Sequence, residues 1–368
     1  MYSGNTPSRL NKEHFNGAIN WISSGELKEH YIADTKEKIS DEAAKTLKML
    51  PIGTFVIAIY GLEADGVRGT GSITKTESTI SQACMAFTSK GKVQNEFLYS
   101  WYKKHGNVIG IRYAQGTKQQ NLSYDIIEKF KIAYPTFQEQ EKLNKFISLL
   151  DERIATQNKI IEDLKKLKSA IIEKHYRQAE KQTVCIADLG EHFSVGNLAK
   201  DDLSETGTPC ILYGELFTTY GETISQIESR TNKTGGMVLS KKGDLLFPSS
   251  TTVDAVSLIA PSVINIDNVV LGGDMFGIHI NSNFDAQYLS YFFNHIAKRR
   301  LAKYAKGSTI IHLHYADIEK AKLLLPCLKE QHRMAKCLVS LDNKINVETL
   351  SLNLLNNQKT YLLRHMFI

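Results

Sequence analysis

An internal repeat of 191 residues constrains this chain more than any other feature. The stretch GTKQQNLSYDIIEKFKIAYPTFQEQEKLNKFISLLDERI begins at Gly116, and GSTIIHLHYADIEKAKLLLPCLKEQHRMAKCLVSLDNKI begins at Gly307. The two align without a gap. Leu122 falls on Leu313, Tyr124 on Tyr315, Pro135 on Pro326, Glu139-Gln140 on Glu330-Gln331 and Leu150-Asp151 on Leu341-Asp342. A solenoid repeats every 20–50 residues, about one supersecondary unit, so a period this long means two copies of a whole domain-plus-helix unit.

Each copy has the same internal order. Short apolar runs punctuated by glycine come first, such as GTFVIAIYG (53–61) and GDLLFPSS (243–250), and they read as strands. An aromatic helical segment follows, EFLYSWYKK (96–104) and YLSYFFNHIAKRR (288–300). Then comes a strand ending at Pro135 or Pro326, and the Glu-Gln behind the proline opens a long helix.

Those closing helices carry a seam. Leu143, Ile147, Leu150, Ile154, Ile161, Leu164 and Ile171 fall on alternating steps of four and three, interrupted by Gln157 and Lys168. Met334, Leu338, Leu341, Ile345, Leu352, Leu355 and Leu362 keep the same register, interrupted by Glu348 and Lys359. A spacing of about 3.5 residues over several heptads is a coiled-coil seam, and two equal helices can pair antiparallel about a pseudo-twofold axis. The expected fold is therefore α+β. Two α/β domains are joined by two long helices forming an antiparallel coiled-coil spacer, as a pseudo-twofold internal repeat. The expected divisions are 1–137, 138–180 (first spacer helix), 181–328 and 329–368 (second spacer helix).

Composition closes off several classes. No run of about 18 apolar residues occurs, so no transmembrane helix is expected, and the N-terminus lacks the apolar core of a secretory signal. Five scattered cysteines, never in a CxxC pair, point to reduced thiols and a cytoplasmic location. There is no P-loop, no GxGxxG after a strand, no GxSxG and no Asn/Asp-Pro-Pro-aromatic stretch. His312 and His314 share a strand face without a Cys or acidic partner at metal spacing. No catalytic, cofactor-binding or metal site is expected. The net charge of +6 permits nucleic-acid binding, and basic residues cluster at 298–306 and along 90–118.

This layout resembles the specificity subunit of a type I restriction–modification enzyme. The opening SGNTPSRLNKEHFNGAINWISSGELKEHYIADTKEKISDEAAK is similar to the start of many target-recognition domains of that family. The Pro-x-x-x-Glu-Gln … Leu-Asp-x-x-Ile element at 135–154 and 326–345 resembles its repeated spacer helices. One departure stands out: the second copy begins VCIADLGEHFSVGN (184–197), whereas the first begins directly at Ser3-Gly4, without a counterpart for about ten residues that include a strand. A trimmed N-terminus or an alternative start would account for this, and it bears on the stability of the first domain. The resemblance implies a non-catalytic subunit with two target-recognition domains, each reading half of a split double-stranded DNA site. It implies partner subunits as well: methyltransferase subunits, two by expectation, and restriction/translocase subunits. These would bring S-adenosylmethionine and ATP with Mg, none of it held on this chain. A scaffold whose end domains bind proteins rather than DNA is the alternative.

Phosphate contacts call for Lys and Arg, and base edges for Arg, Asn, Gln, Ser and Thr. In the first copy the best candidates are Lys118, Gln119, Gln120 and Asn121 in the loop after Gly116, with Arg68, Lys103, Lys104 and Arg112. In the second they are Ser250, Thr251, Lys298, Arg299, Arg300, Lys303, Lys306 and His312. Trp101, Tyr102, Phe292 and Phe293 are expected in the core, since duplex reading needs no unstacked base. The helix interface is expected to consist of Leu143, Ile147, Leu150, Ile154, Gln157, Ile161 and Leu164 with Met334, Leu338, Leu341, Ile345, Glu348, Leu352 and Leu355.

Overall fold

The computed structural model describes residues 1–64 and 66–367. It divides into two compact units, Met1–Asn158 with Leu350–Ile368, and Lys159–Thr349. Each unit therefore owns one β-rich domain, the near end of one long helix and the far end of the other. The helices run Phe137–Gln178 and Leu328–Met366.

The repeat is written into the sheets. In the first unit the strand order is Tyr2–Ser3, Cys84–Phe87, Phe55–Ala58, Gly71–Thr74, Tyr31–Ile32. In the second it is Gly190–Ser194, Met275–Ile280, Asp244–Pro248, Ser262–Ile264, Thr223–Ile224. Both sheets are antiparallel except for the last pair, which is parallel in each. The central runs Phe55–Ala58 and Asp244–Pro248 are buried on both faces, which is why they are apolar without alternation apart from Asp244, whose carboxylate meets His279. An aromatic helix covers each sheet. Trp101 and Tyr102 in the first unit, and Phe292 and Phe293 in the second, lie in the core.

The sequence leads to a strand before each proline, but only the second copy has one. Lys322–Leu325 pairs antiparallel with Gln182–Cys185, whereas 131–134 is irregular. A strand needs a partner for its backbone groups, and among the described residues none pairs with 131–134 as Gln182–Cys185 pairs with Lys322–Leu325.

Each long helix begins on a buried glutamine. Gln140 is fully buried: its Oε1 accepts from Gln94 N at 2.8 Å and its Nε2 donates to Lys92 O and Pro135 O. Gln331 does the same, accepting from Asp285 N at 3.0 Å and donating to Pro326 O at 2.8 Å. The repeated Glu-Gln is thus a clamp that fixes the helix to the start of the aromatic helix. In the first copy it also forms a capping box, with Thr136 and Glu139 bonded reciprocally.

The seam positions form the inward face of each helix end. In the first unit Ile147, Leu150 and Leu355 are buried, and Leu143, Ile154, Gln157 and Leu352 are half-buried. In the second unit Ile161, Met334, Leu338 and Ile345 are buried, while Leu164, Leu341 and Glu348 are half-buried. The two lysines that break the seam are paired inside it. Lys168 Nζ lies 2.7 Å from Asp342 Oδ1 and 3.0 Å from Glu222 Oε1. Lys359 Nζ donates to Asp151 Oδ1. Each repeat's Leu-Asp motif therefore supplies the carboxylate for the other repeat's lysine. Among the described residues, no helix is long and apolar enough to cross a membrane.

Candidate nucleic-acid interface

Both copies build the same closed loop. Gln115 and Asn121 exchange backbone hydrogen bonds of 2.8 and 2.9 Å, and Lys306 and His312 exchange bonds of 2.9 and 2.7 Å. Inside each pinch the first residue is a glycine in the left-handed half of backbone space, Gly116 at φ +109° and Gly307 at φ +112°. A Cβ at either would stand 2.1 Å from the carbonyl oxygen three residues on, Gln119 O or Ile310 O. Only glycine closes this loop. Gly116→Ala and Gly307→Ala are each expected to cost about 1–3 kcal/mol of local strain. Each should also speed hydrogen exchange in the sheet of its own unit and leave the other unit's sheet unchanged. Equal acceleration in both units would contradict this.

The first unit holds its loop from below. Gln120 N donates to Glu63 Oε2 at 2.8 Å, and Arg68 donates to Gln120 Oε1 at 2.9 Å. The bond from Gln120 N is the main reason the Glu63 carboxyl sits below its ordinary range. Asn121 also bridges to Tyr60. The loop carrying Glu63 and Arg68 lies close on the aromatic helix because Gly69 and Gly106 face each other there; a Cβ on Gly69 would meet Asn107 N at 2.6 Å. Lys118 and Gln119 are exposed at the loop tip, and Arg112 is exposed on the last turn of the helix.

The second unit repeats the plan with different side chains. Ser250–Thr251 pairs antiparallel with Ile311–His312, the counterpart of the Tyr60–Asn121 bridge. A cleft of about 500 Å³ beside it is lined by Thr251, Val253, Ser257, Asn294 and Lys298. The helix feeding Lys298 widens to a π-turn over Phe293–Ala297 before Lys298–Leu301. Such turns recur at functional sites. Arg299, Arg300 and Lys303 are exposed just beyond it.

Several candidates need correction. Lys104 does not serve the loop: its Nζ donates to Arg364 O and Phe367 O at 2.6 Å each, satisfying carbonyls at the end of the second long helix. Lys103 lies over the Tyr99 ring at 5.7 Å, with burial and then Lys359 lowering its pKa. Both belong to the helix junction. Arg68 is half-buried, with Nε enclosed and no partner for it among the described residues, and it acts through Gln120. Ser250 is buried, so it shapes the strand and does not reach outward. Lys306 is tied to Asp317. Tyr60, Glu63 and Val253 went unnoticed in the sequence, although Tyr60 lies one repeat before Thr251. Among the described residues no group of three or more His, Cys, Asp or Glu is gathered as a metal site would require.

The comparisons agree with this architecture. The family model for the type I restriction modification DNA specificity domain matches residues 2–166 and again 178–357. The MjaVIII type I restriction enzyme specificity subunit of Methanocaldococcus jannaschii is 24% identical over 295 residues, 73% of this chain and 68% of that one. A putative MjaX specificity subunit of the same organism is 22% identical over 285 residues, 71% and 64% of the two chains. In fold, a type I restriction–modification S subunit from M. genitalium is similar with a TM-score of 0.61 at 16% identity, covering 100% of this chain and 93% of that one. A chain from a structural study of type I R-M complex assembly and conformational transition gives 0.60 at 14% identity, covering 94% and 90%. With two matches that together take in nearly the whole sequence, one on each copy of the repeat, this chain belongs to the type I restriction modification DNA specificity domain family.

Proposed function

We propose that this chain is the sequence-reading subunit of a type I restriction–modification enzyme. Each unit reads one half of a split duplex site through its closed loop, and the paired helices carry the methyltransferase and restriction subunits. The observation that carries this is the duplication. The same pinched, glycine-started loop sits on the same sheet order in both copies, but its tip reads Thr-Lys-Gln-Gln in one and Ser-Thr-Ile-Ile in the other. A conserved frame with different tips suits two readers of two sequences. In this reading Gln119 and Asn121 bond adenine edges, and Lys118 and Arg112, both exposed, meet phosphate. In the second unit Thr251 and His312 face bases while Lys298, Arg299, Arg300 and Lys303 neutralise the backbone.

In this reading the divisions are 1–137 and 181–328 for the two readers, with 138–180 and 329–368 as spacer helices. The chain itself performs no chemistry. Methyl transfer and ATP-driven cleavage belong to the partner subunits, in the cytoplasm where cellular DNA lies. The test is duplex affinity measured across salt. Phosphate-driven binding falls linearly in log–log form, and Lys118→Ala should lower the slope by about one. No affinity for any duplex at low salt would instead favour the protein-binding scaffold.

A further inference from the structure

The closed loop of the second unit carries aliphatic side chains where that of the first carries amides. One repeat after Gln119 and Gln120 stand Ile310 and Ile311. Ile310 is 50% exposed at the loop tip, next to the exposed Thr309. The strand alongside leads to a second exposed aliphatic. Thr251 pairs opposite Ile311, and two residues further on Val253 is 74% exposed. Its counterpart in the first unit, Leu62, is fully buried.

Local hydrogen bonds fix the backbone on both sides of Val253. Its N–H donates to Thr251 Oγ1 at 3.2 Å. The next residues close a turn, in which Ser257 N donates to Asp254 Oδ1 at 2.7 Å and Asp254 N to Ser257 Oγ at 3.3 Å. Val253 lines the cleft of about 500 Å³ together with Leu216, Phe217 and Ala260, and Asn294 and Lys298 line it too. Asn294 Nδ2 is already spent on Pro261 O and Ser290 O, so the cleft offers a base no amide donor. Arg299, Arg300 and Lys303 follow Lys298, all exposed. Aliphatic side chains flanked by cations suit an apolar group carried on a polyanion. In the major groove of duplex DNA that group is the 5-methyl of a pyrimidine.

We propose that Val253 and Ile310 are specificity-determining residues that read pyrimidine 5-methyl groups in the half-site of the second unit. This rests on the DNA reading proposed above and adds the chemistry by which that half-site is told apart. The cations hold the backbone through phosphate, and each methyl removed from water against an aliphatic side chain favours its base without a hydrogen bond. Thymine and 5-methylcytosine both carry the group. The first unit, with Lys118 and Gln119 at its tip, has no exposed aliphatic at either corresponding position.

The full chain, assembled with its partner subunits, is used to select duplexes from a randomised pool. The selected motif is then remade with deoxyuridine for single thymidines, which removes the methyl alone, or with 5-methylcytosine for single cytosines. If thymine is the source, at least one uridine in one half-site should weaken binding about fourfold, the worth of one methyl-sized group removed from water. Val253→Ser combined with Ile310→Ser should abolish that difference. If 5-methylcytosine is the source, uridine is neutral and methylating a cytosine should strengthen binding about fourfold, again only with Val253 and Ile310 in place. Both side chains are exposed and uncharged, so the double variant should melt as the parent does and keep its salt slope. Selective binding indifferent to every 5-methyl group, or a methyl effect that survives in the double variant, would overturn this proposal and leave the DNA reading standing. Absence of any sequence-selective binding would overturn both. A double variant that no longer assembles would name a partner protein as the occupant of this face and overturn it too.

Discussion

Lys168→Met is expected to destabilise the second unit by about 3–5 kcal/mol, the cost of leaving a buried partner charge uncompensated. Lys168 is almost fully enclosed, bonded to both Asp342 and Glu222 and lying 4.7 Å from the Tyr291 ring centre. Tyr291 donates to Asp342 Oδ2 at 2.5 Å, and His295 pairs with Glu222 at 2.9 Å. Without the ammonium, two carboxylates share one enclosed site. Adding Asp342→Asn and Glu222→Gln should restore much of the loss, since the neutral amides no longer repel. Both tryptophans lie in the first unit, so their fluorescence transition should stay in place. Hydrogen exchange in Asp244–Pro248 and Met275–Ile280 should accelerate. An unchanged exchange rate there would mean the cluster contributes nothing.

The pH dependence has opposite signs in the two units. Burial opposes the Glu222 carboxylate, but His295 and Lys168 outweigh it and hold its pKa down to about 2, against an ordinary 4.5. That stabilisation is complete above pH 4.5 and disappears as pH falls towards 2. In the Lys168→Met variant Glu222 gains by protonation, so the deficit should shrink over the same range. In the first unit His30 stacks between Tyr31 and Tyr99, with ring centres at 4.0 and 4.1 Å. Burial works against its charged form, but Asp151 and Glu96 prevail and raise its pKa above 6.5. Its contribution is complete below pH 6.5 and is lost as pH climbs through the raised value. Tryptophan-monitored melting should therefore weaken on the alkaline side, and His30→Gln should remove that slope.

On the proposed reading, in which the paired helices space the two readers, lengthening both helices by four residues, after Gln157 and after Glu348, should move the two half-sites apart by one or two base pairs. Four helical residues add about 6 Å, and B-DNA advances about 3.4 Å per base pair. The insertions fall next to the boundaries between the units, so Asp151–Lys359 in one and Lys168–Asp342 in the other stay intact. Four residues nearly complete a turn and leave a stutter in the seam. The loops proposed to read the DNA are not altered, so the half-site sequences should persist while activity on the original spacing falls away. The methylated motif of the variant, assembled with its partner subunits, gives the answer. An unchanged gap with full activity would mean the helices do not act as the ruler.

The repeat, the two strand-rich domains and the seam were legible in the sequence because each is a local pattern of apolar spacing or turn residues. The closed loops were half legible: Gly116 and Gly307 marked the turn, while the pinch that requires glycine is a backbone contact three residues on. Lys168 and Lys359 could be seen as breaks in the seam, and Asp151 and Asp342 as a repeated motif. That each lysine belongs to the other repeat's aspartate depends on which helix face meets which. Arg68 and Lys104 looked like free cations, because a sequence records charge and not direction. Gln120 claims one and the closing carbonyls of the second long helix claim the other, across 52 and 260 residues of chain. Strand 131–134 failed for the same reason. Its own residues favour extension as its twin's do, but a strand is made by its neighbour, and only tertiary structure decides whether a neighbour is present.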